Sequence, residues 1–234
     1  MNARNPILVI CLVLWGSIAQ PQGFAGLGQT TDGFRLPDPA TRFVFPEDHG
    51  SHPEFRIEWW YVTANLQSPD GTPYGIQWTL FRNALEPGGA ATDQAWMAHA
   101  AVSTPEGHHY AERFARGASD QAGVQAEPFE AFIDEWQMAG PDLNDLRLTA
   151  QGSRFHYDLK LDANGPFVLQ GENGFSVKSE TGQASHYYSQ PFYSVTGTIT
   201  LEDGPLEVTG RAWLDREWSS QPLTATQTGW DWVC

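Results

Sequence analysis

Residues 54–63 read Glu54-Phe55-Arg56-Ile57-Glu58-Trp59-Trp60-Tyr61-Val62-Thr63, and their alternation decides the fold class. Phe55, Ile57, Trp59, Tyr61 and Thr63 fall on one side at a period of two; Glu54, Arg56, Glu58, Trp60 and Val62 fall on the other. Successive side chains of an extended chain point to opposite faces, so the stretch predicts a β-strand. The run Ser68-Pro69-Asp70-Gly71-Thr72-Pro73 is a turn by composition, and 74–82 returns as a second strand to make a hairpin.

Working outward, further strands are expected at 95–103, 109–115, 146–150, 153–161, 167–170, 185–189, 192–201 and 205–214. The 153–161 segment alternates most cleanly, with Phe155, Tyr157, Leu159 and Leu161 opposite Arg154, His156, Asp158 and Lys160. Residues 127–136 could form a helix, but no segment carries a strong 3.6-residue period. Regular, turn-separated strands predict an all-β chain, an antiparallel sandwich or closed barrel. The composition agrees: 41% hydrophobic residues, 23 Gly and 16 Pro suit a globular chain with many turns and few long helices. The net charge of −15 repels polynucleotides and anionic lipid, so no nucleic-acid partner is expected.

The two ends read differently. Arg4, the apolar run over 7–15 and the small residues of Ser17-Ile18-Ala19 predict a signal peptide over 1–19, too short to span a bilayer and cleaved after Ala19. Residues 20–42 then form an extended lead-in. The expected location is periplasmic or secreted, with no stable membrane insertion after cleavage. Cys11 would leave with the signal and Cys234 is the last residue, so no internal disulfide is expected. Gly229-Trp230-Asp231-Trp232-Val233 reads as the start of a truncated further strand.

Four tryptophan sites have a carboxylate beside the indole: Glu58-Trp59-Trp60, Asp134-Glu135-Trp136, Asp215-Arg216-Glu217-Trp218 and Trp230-Asp231-Trp232. On a strand, an indole sent to one face sends its carboxylate to the other. A wall with rings on one side and acids on the other is the expectation, with Trp59, Trp78 and Trp218 facing one shared, enclosed pocket.

These motifs resemble AttH-type proteins, which share a domain with the carotenoid 1,2-hydratases (hydroxyneurosporene synthases). The resemblance rests on Phe45-Pro46-Glu47-Asp48-His49-Gly50-Ser51-His52-Pro53-Glu54-Phe55-Arg56-Ile57-Glu58-Trp59-Trp60-Tyr61-Val62 and, in order, on Tyr74-Gly75-Ile76-Gln77-Trp78-Thr79-Leu80-Phe81-Arg82, Met97-Ala98-His99-Ala100-Ala101, Gln170-Gly171-Glu172-Asn173-Gly174-Phe175-Ser176, His186-Tyr187-Tyr188-Ser189 and Trp213-Leu214-Asp215-Arg216-Glu217-Trp218-Ser219-Ser220. It implies a lipocalin-like β-barrel over 43–228, the first of two in tandem, with 229–234 the start of the second. It also implies an exported protein, in some relatives encoded beside an envelope ABC transporter, which would be a partner. Such proteins are often labelled secreted hydrolases, a label that fold alone does not support.

Hydration of an isolated isoprenoid double bond needs a carboxyl group kept protonated by burial, an aromatic face to steady the cation, and a held water. Asp215, Glu217, Trp218 and Glu58 are the candidate catalytic residues. Trp59, Trp60, Tyr61, Trp78, His99, Tyr188, Arg216 and Trp230 are candidates to bind a small hydrophobic ligand, lipid or isoprenoid, inside the barrel. The hydratases carry Asp-His-x-Trp where this chain has Asp215-Arg216-Glu217-Trp218, and a guanidinium cannot exchange a proton near neutrality. Arg216 is expected to neutralise Asp215 or Glu217 instead.

The competing reading makes these tryptophans core plugs and Asp-Arg-Glu a satisfied ion network. His49 and His52 form a His-x-x-His group with Glu47, Asp48 and Glu54 nearby, but hydrogen bonding within the loop is the simpler role, and neither metal nor cofactor is expected. His99 is expected to face the barrel interior or a hydrogen-bond partner, while His108, His109 and His156 should be exposed. Nucleophilic hydrolysis lacks a Gly-x-Ser-x-Gly elbow, and no phosphate-cradling or dinucleotide motif occurs.

Overall fold

In the computed structural model, residues 32–221 are described. The expected signal peptide, most of the lead-in, both cysteines and the Trp230 segment lie outside them. The strands are β1 (Ile57–Gln67), β2 (Pro73–Ala84), β3 (Gln94–Thr104), β4 (Gly107–Arg116), β5 (Ala122–Gln125), β6 (Phe129–Ile133), β7 (Trp136–Asp142), β8 (Asp145–Gln151), β9 (His156–Ala163), β10 (Val168–Leu169), β11 (Phe175–Val177), β12 (Ala184–Leu201) and β13 (Gly204–Ser219). Among the described residues, helix is limited to 3-10 turns at Glu47–His49 and Ala91–Asp93.

The strands form one antiparallel sheet in the order β4-β3-β2-β1-β13-β12-β9-β8-β7-β6-β5, with β10 and β11 paired to β12. The sheet curls into a nearly closed barrel, as the alternation predicts. Side chains bridge its seam between β4 and β6: Arg113 stacks on Trp136 at 4.6 Å and bonds to Glu135 and to the Gln151 carbonyl. The core is the inner face, where Trp60, Val62, Trp78, Leu80, Trp136, Met138, Leu148, Tyr157, Leu159, Tyr193 and Leu214 are buried together.

Three sequence expectations are corrected. Residues 127–136 are not helical: β6 there alternates Phe129, Ala131 and Ile133 inward, and Asp134 turns the chain with a positive φ of 50°. The segments 185–189 and 192–201 are one strand, β12. Between Gln190 and Tyr193 it carries one residue more than its partner β13. That bulge switches the inward set from His186, Tyr188 and Gln190 to Tyr193, Val195 and Ile199, which breaks the period that sequence reading relies on. Strands β5, β7 and β11 also escaped the sequence reading, being short or rich in small and polar residues.

Candidate functional site

The pairing of β1, β13 and β12 places the conspicuous motifs. Glu58 stands opposite Trp218, Trp60 opposite Arg216, and Tyr188 opposite Arg216 on the far side. These point into the barrel. Trp59 stands opposite Glu217, Tyr61 opposite Asp215, and Tyr187 and Ser189 flank the same two acids from β12. These point outward. The motifs therefore build two sites on opposite faces of one wall.

The inner site is an ion cluster closed by the 43–56 loop. Glu58, fully buried, accepts hydrogen bonds from Arg82 Nε, from Arg216 Nη2 at 2.5 Å and from the His52 backbone N–H at 2.9 Å. Arg82 also donates to the His52 and Phe55 carbonyls, at 2.9 and 2.8 Å. The Arg216 guanidinium lies 3.9 Å from the Trp60 ring centroid and 4.9 Å from that of Trp218. His52 stacks on Trp218 at 4.0 Å, with Nε2 2.9 Å from Asp48 Oδ1. Burial alone would raise the Glu58 carboxyl, but Arg82 and Arg216 outweigh it and hold it well below the usual carboxylate range. Glu58 is thus a fixed counter-ion and a poor proton donor. Arg216 pairs with it and not with Asp215 or Glu217, because the period of two turns Arg216 away from its sequence neighbours.

Beside this cluster, His49 Nδ1 lies 2.7 Å from the Tyr188 hydroxyl, and Phe45 stacks on His49 at 4.7 Å. Burial, reinforced by Arg216, lowers the His49 pKa to about 4; burial with the nearby His52 lowers that of His186 to about 4. The Trp60 indole N–H donates to the His49 carbonyl. Trp60, Trp78 and Tyr188 are packed core, with no space shared with Trp59, which points to the opposite face. The expected common pocket of Trp59, Trp78 and Trp218 is therefore absent from the described residues. No metal-type grouping of His, Cys, Asp and Glu occurs among the described residues.

The outer site is chemically different. Asp215 and Glu217 lie on a barrel's outer face, yet each is only 1% exposed. Asp215 Oδ1 accepts from the Tyr187 hydroxyl (2.8 Å), Ser189 Oγ (2.5 Å) and Trp213 Nε1 (2.7 Å). Glu217 Oε1 accepts from Ser185 Oγ at 2.5 Å and pairs with Lys178 Nζ at 2.7 Å. Glu217 Oε2 is buried without a hydrogen-bond partner among the described residues. Burial raises the Glu217 carboxyl despite Lys178, and the neighbouring Asp215 adds to the rise. Burial likewise raises the Tyr187 hydroxyl, with Asp215 adding to it. Trp218 does not share this site, which corrects its expected grouping with Asp215.

The pairing carries the outer face onward through Phe81, Met97 and Phe114 in the Trp59 row, and through Thr79, His99 and Glu112 in the Tyr61 row. His99 is on this face, 30% exposed and 3.6 Å from Glu112, and not inside the barrel. His108 and His156 are exposed as expected, but His109 points inward with a buried Nδ1. Sequence reading missed Tyr187, Ser185, Ser189, Trp213 and Lys178; the polar alternation of Ser185, Tyr187 and Ser189 was the available signal. A separate groove of about 720 Å³ lies outside β7–β9 and β12. Its charges are already paired, Arg147 with Asp158 and Lys160 with Asp162, so it is a weaker candidate.

Comparison with known proteins agrees with this architecture. The AttH-like family model matches residues 36–234. No curated protein matches the chain. The crystal structure of a Nitrosomonas europaea protein assigned to AttH is 38% identical with a TM-score of 0.74, covering 82% of this chain and 60% of that one. Kievitone hydratase from Nectria haematococca has a TM-score of 0.54 at 14% identity, covering 82% of this chain and 58% of that one, a likeness of fold. This chain thus spans about three-fifths of the length of either protein. With the family model covering every strand of the described barrel and its motifs in order, the chain belongs to the AttH-like family.

Proposed function

We propose that this chain is the ligand-handling barrel of an exported protein, and that it holds a small hydrophobic lipid or isoprenoid against its outer wall, not in its core. The observation that carries the reading is the burial of Asp215 and Glu217 on an outer face among Trp59, Tyr61, Tyr187 and Trp213. Outer faces of barrels normally alternate with solvated polar groups, and an aromatic face holding two buried acids suits an apolar ligand with a polar end. Packing of Trp60, Trp78 and Trp136 into the core argues against an interior ligand. Export is supported by the apolar 7–15 run between Arg4 and Ala19. Titrating the chain with N-phenyl-1-naphthylamine tests the reading: saturable binding weakened by Trp59→Ala is expected, and binding indifferent to that substitution contradicts it.

A second reading, acid–base catalysis, is favoured by Glu217 itself. A carboxyl raised by burial, with one oxygen that has no hydrogen-bond partner among the described residues, is suited to donate its proton to an alkene carbon. The ring faces would steady the cation, water oxygen would bond to it, and the water's proton would return to the Glu217 carboxylate. Assay of Glu217→Gln and Asp215→Asn against isoprenoid alkenes and esters decides it: loss of turnover in Glu217→Gln supports the reading, and equal turnover in both variants removes it.

A further inference from the structure

We propose that the groove outside β7–β9 and β12 is a second binding site, and that it takes a neutral, hydroxyl-rich ligand of the class of an oligosaccharide. Its volume of about 720 Å³ is in the range of small-molecule sites. It lies along β12 on the far side of the bulge from Asp215 and Glu217, so it stands whether or not the outer wall holds an apolar ligand.

The placement of charge singles this groove out. Strand pairing sets Asp145 opposite both Asp142 and Asp162, and Arg147 directly opposite Lys160. Like charges facing each other across a sheet destabilise it, and here an acidic band and a basic band run side by side. Neutralisation comes only from neighbours that are not directly opposite. Arg147 donates to both carboxylate oxygens of Asp158, and Lys160 Nζ lies 2.8 Å from Asp162 and 3.9 Å from Asp145. A sheet selected for stability alone would alternate the signs across its strands. Bands of one sign suit a ligand lying across them.

The same charges fix the class of ligand. The lining carries two acids, Asp145 and Asp158, and two bases, Arg147 and Lys160, a local balance in a chain of net charge −15. An anion would meet the two acids and a cation the two bases, each at the expense of an existing pair. No Phe, Tyr or Trp among the described residues lines the groove, and Ala139 and Pro141 offer too little surface to hold an apolar ligand. A hydroxyl both donates and accepts, so it bonds to carboxylate lone pairs and guanidinium N–H groups without breaking the pairs. Spare groups of both kinds are present. Arg147 spends Nε and Nη2 on Asp158, which leaves the Nη1 hydrogens. Thr196 and Thr200 add hydroxyls from β12, opposite Lys160 and His156. All of them stand on strands, which fixes their spacing. Four neighbouring strands make the groove about 14 Å across, which suits a run of linked sugar rings better than a single ring.

The test titrates the full chain with four neutral hexasaccharides, maltohexaose, cellohexaose, laminarihexaose and N-acetylchitohexaose, by calorimetry and two-dimensional amide NMR. A galacturonate hexamer and a glucosamine hexamer are the anionic and cationic controls. At least one neutral hexamer is expected to saturate and to shift amides of β8, β9 and β12. Both charged hexamers should bind at least about tenfold more weakly. Arg147→Met should weaken the neutral hexamer about tenfold by removing charge-assisted hydrogen bonds, and Thr196→Val by about threefold. Should Arg147→Met fail to fold, Thr196→Val decides alone. Saturable binding by none of the four, a charged hexamer binding as tightly as the best neutral one, or neutral binding indifferent to both substitutions overturns the proposal.

Discussion

Glu58→Gln removes one charge from the most buried ion cluster in the barrel while keeping the size of the side chain. Glu58 is the carboxylate against which both Arg82 and Arg216 are neutralised, and all three are at most 1% exposed. Deleting one partner of such a cluster leaves uncompensated buried charge, which typically costs about 3–5 kcal/mol. The lower end of that range applies, since Arg82 keeps the His52 and Phe55 carbonyls and Arg216 keeps the Gly50 carbonyl. For a domain of this size, each kcal/mol moves the melting temperature by about 2–4 °C, so Glu58→Gln should melt about 6–12 °C lower. Differential scanning calorimetry with a urea titration at neutral pH measures it. Adding Arg82→Met should recover part of the loss, because it removes the charge left unpaired. Apolar-probe binding on the outer wall should be unchanged, since the cluster faces the other way. A loss below about 1 kcal/mol would refute the argument that Glu58 is a structural counter-ion.

Acid should loosen the fold in a defined window. His49 and His186 both titrate near 4 in the folded chain against an ordinary 6.5, so the unfolded chain binds protons first. The stability they contribute is complete above pH 6.5 and is lost as pH falls toward 4; the urea midpoint should drop there, and less steeply in His49→Phe with His186→Phe. Arg113→Ala should cost about 1–2 kcal/mol and speed hydrogen exchange in β4 and β6, by removing the stack on Trp136 that spans the seam. Gly197→Ala should cost roughly 2–4 kcal/mol in chemical denaturation. Its Cβ would lie 2.2 Å from the Asp158 carbonyl oxygen, at a backbone φ of 147° that side chains rarely adopt.

The fold was legible because most strands repeat a period of two over eight or more residues, as in 54–63 and 153–161. It became illegible where that period breaks. The β12 bulge split one strand into two, and β5 and β11 are too short to show a period at all. For the site, residue types were readable but residue faces were not. Asp215 and Trp218 are three apart, and on a strand an odd separation sends them to opposite sides, so the Asp-Arg-Glu-Trp string serves two sites. Glu58 shares its face with Trp60 and not with Trp59, which makes it an inner counter-ion. Of the partners of Asp215 and Glu217, Trp213 lies on β13 itself, two residues before Asp215, but the others come from β12 and the loop after β11, and no spacing rule links those to β13.

Indole N–H resonances offer the most direct reading of where a ligand sits. With each tryptophan of the described barrel assigned by substitution, a two-dimensional NMR titration with N-phenyl-1-naphthylamine should shift Trp59 and Trp213. Trp60, Trp78 and Trp136 should stay in place, since they are packed inside. Movement of Trp60 and Trp78 with Trp59 and Trp213 unmoved would put the ligand within the barrel and contradict the outer-wall account.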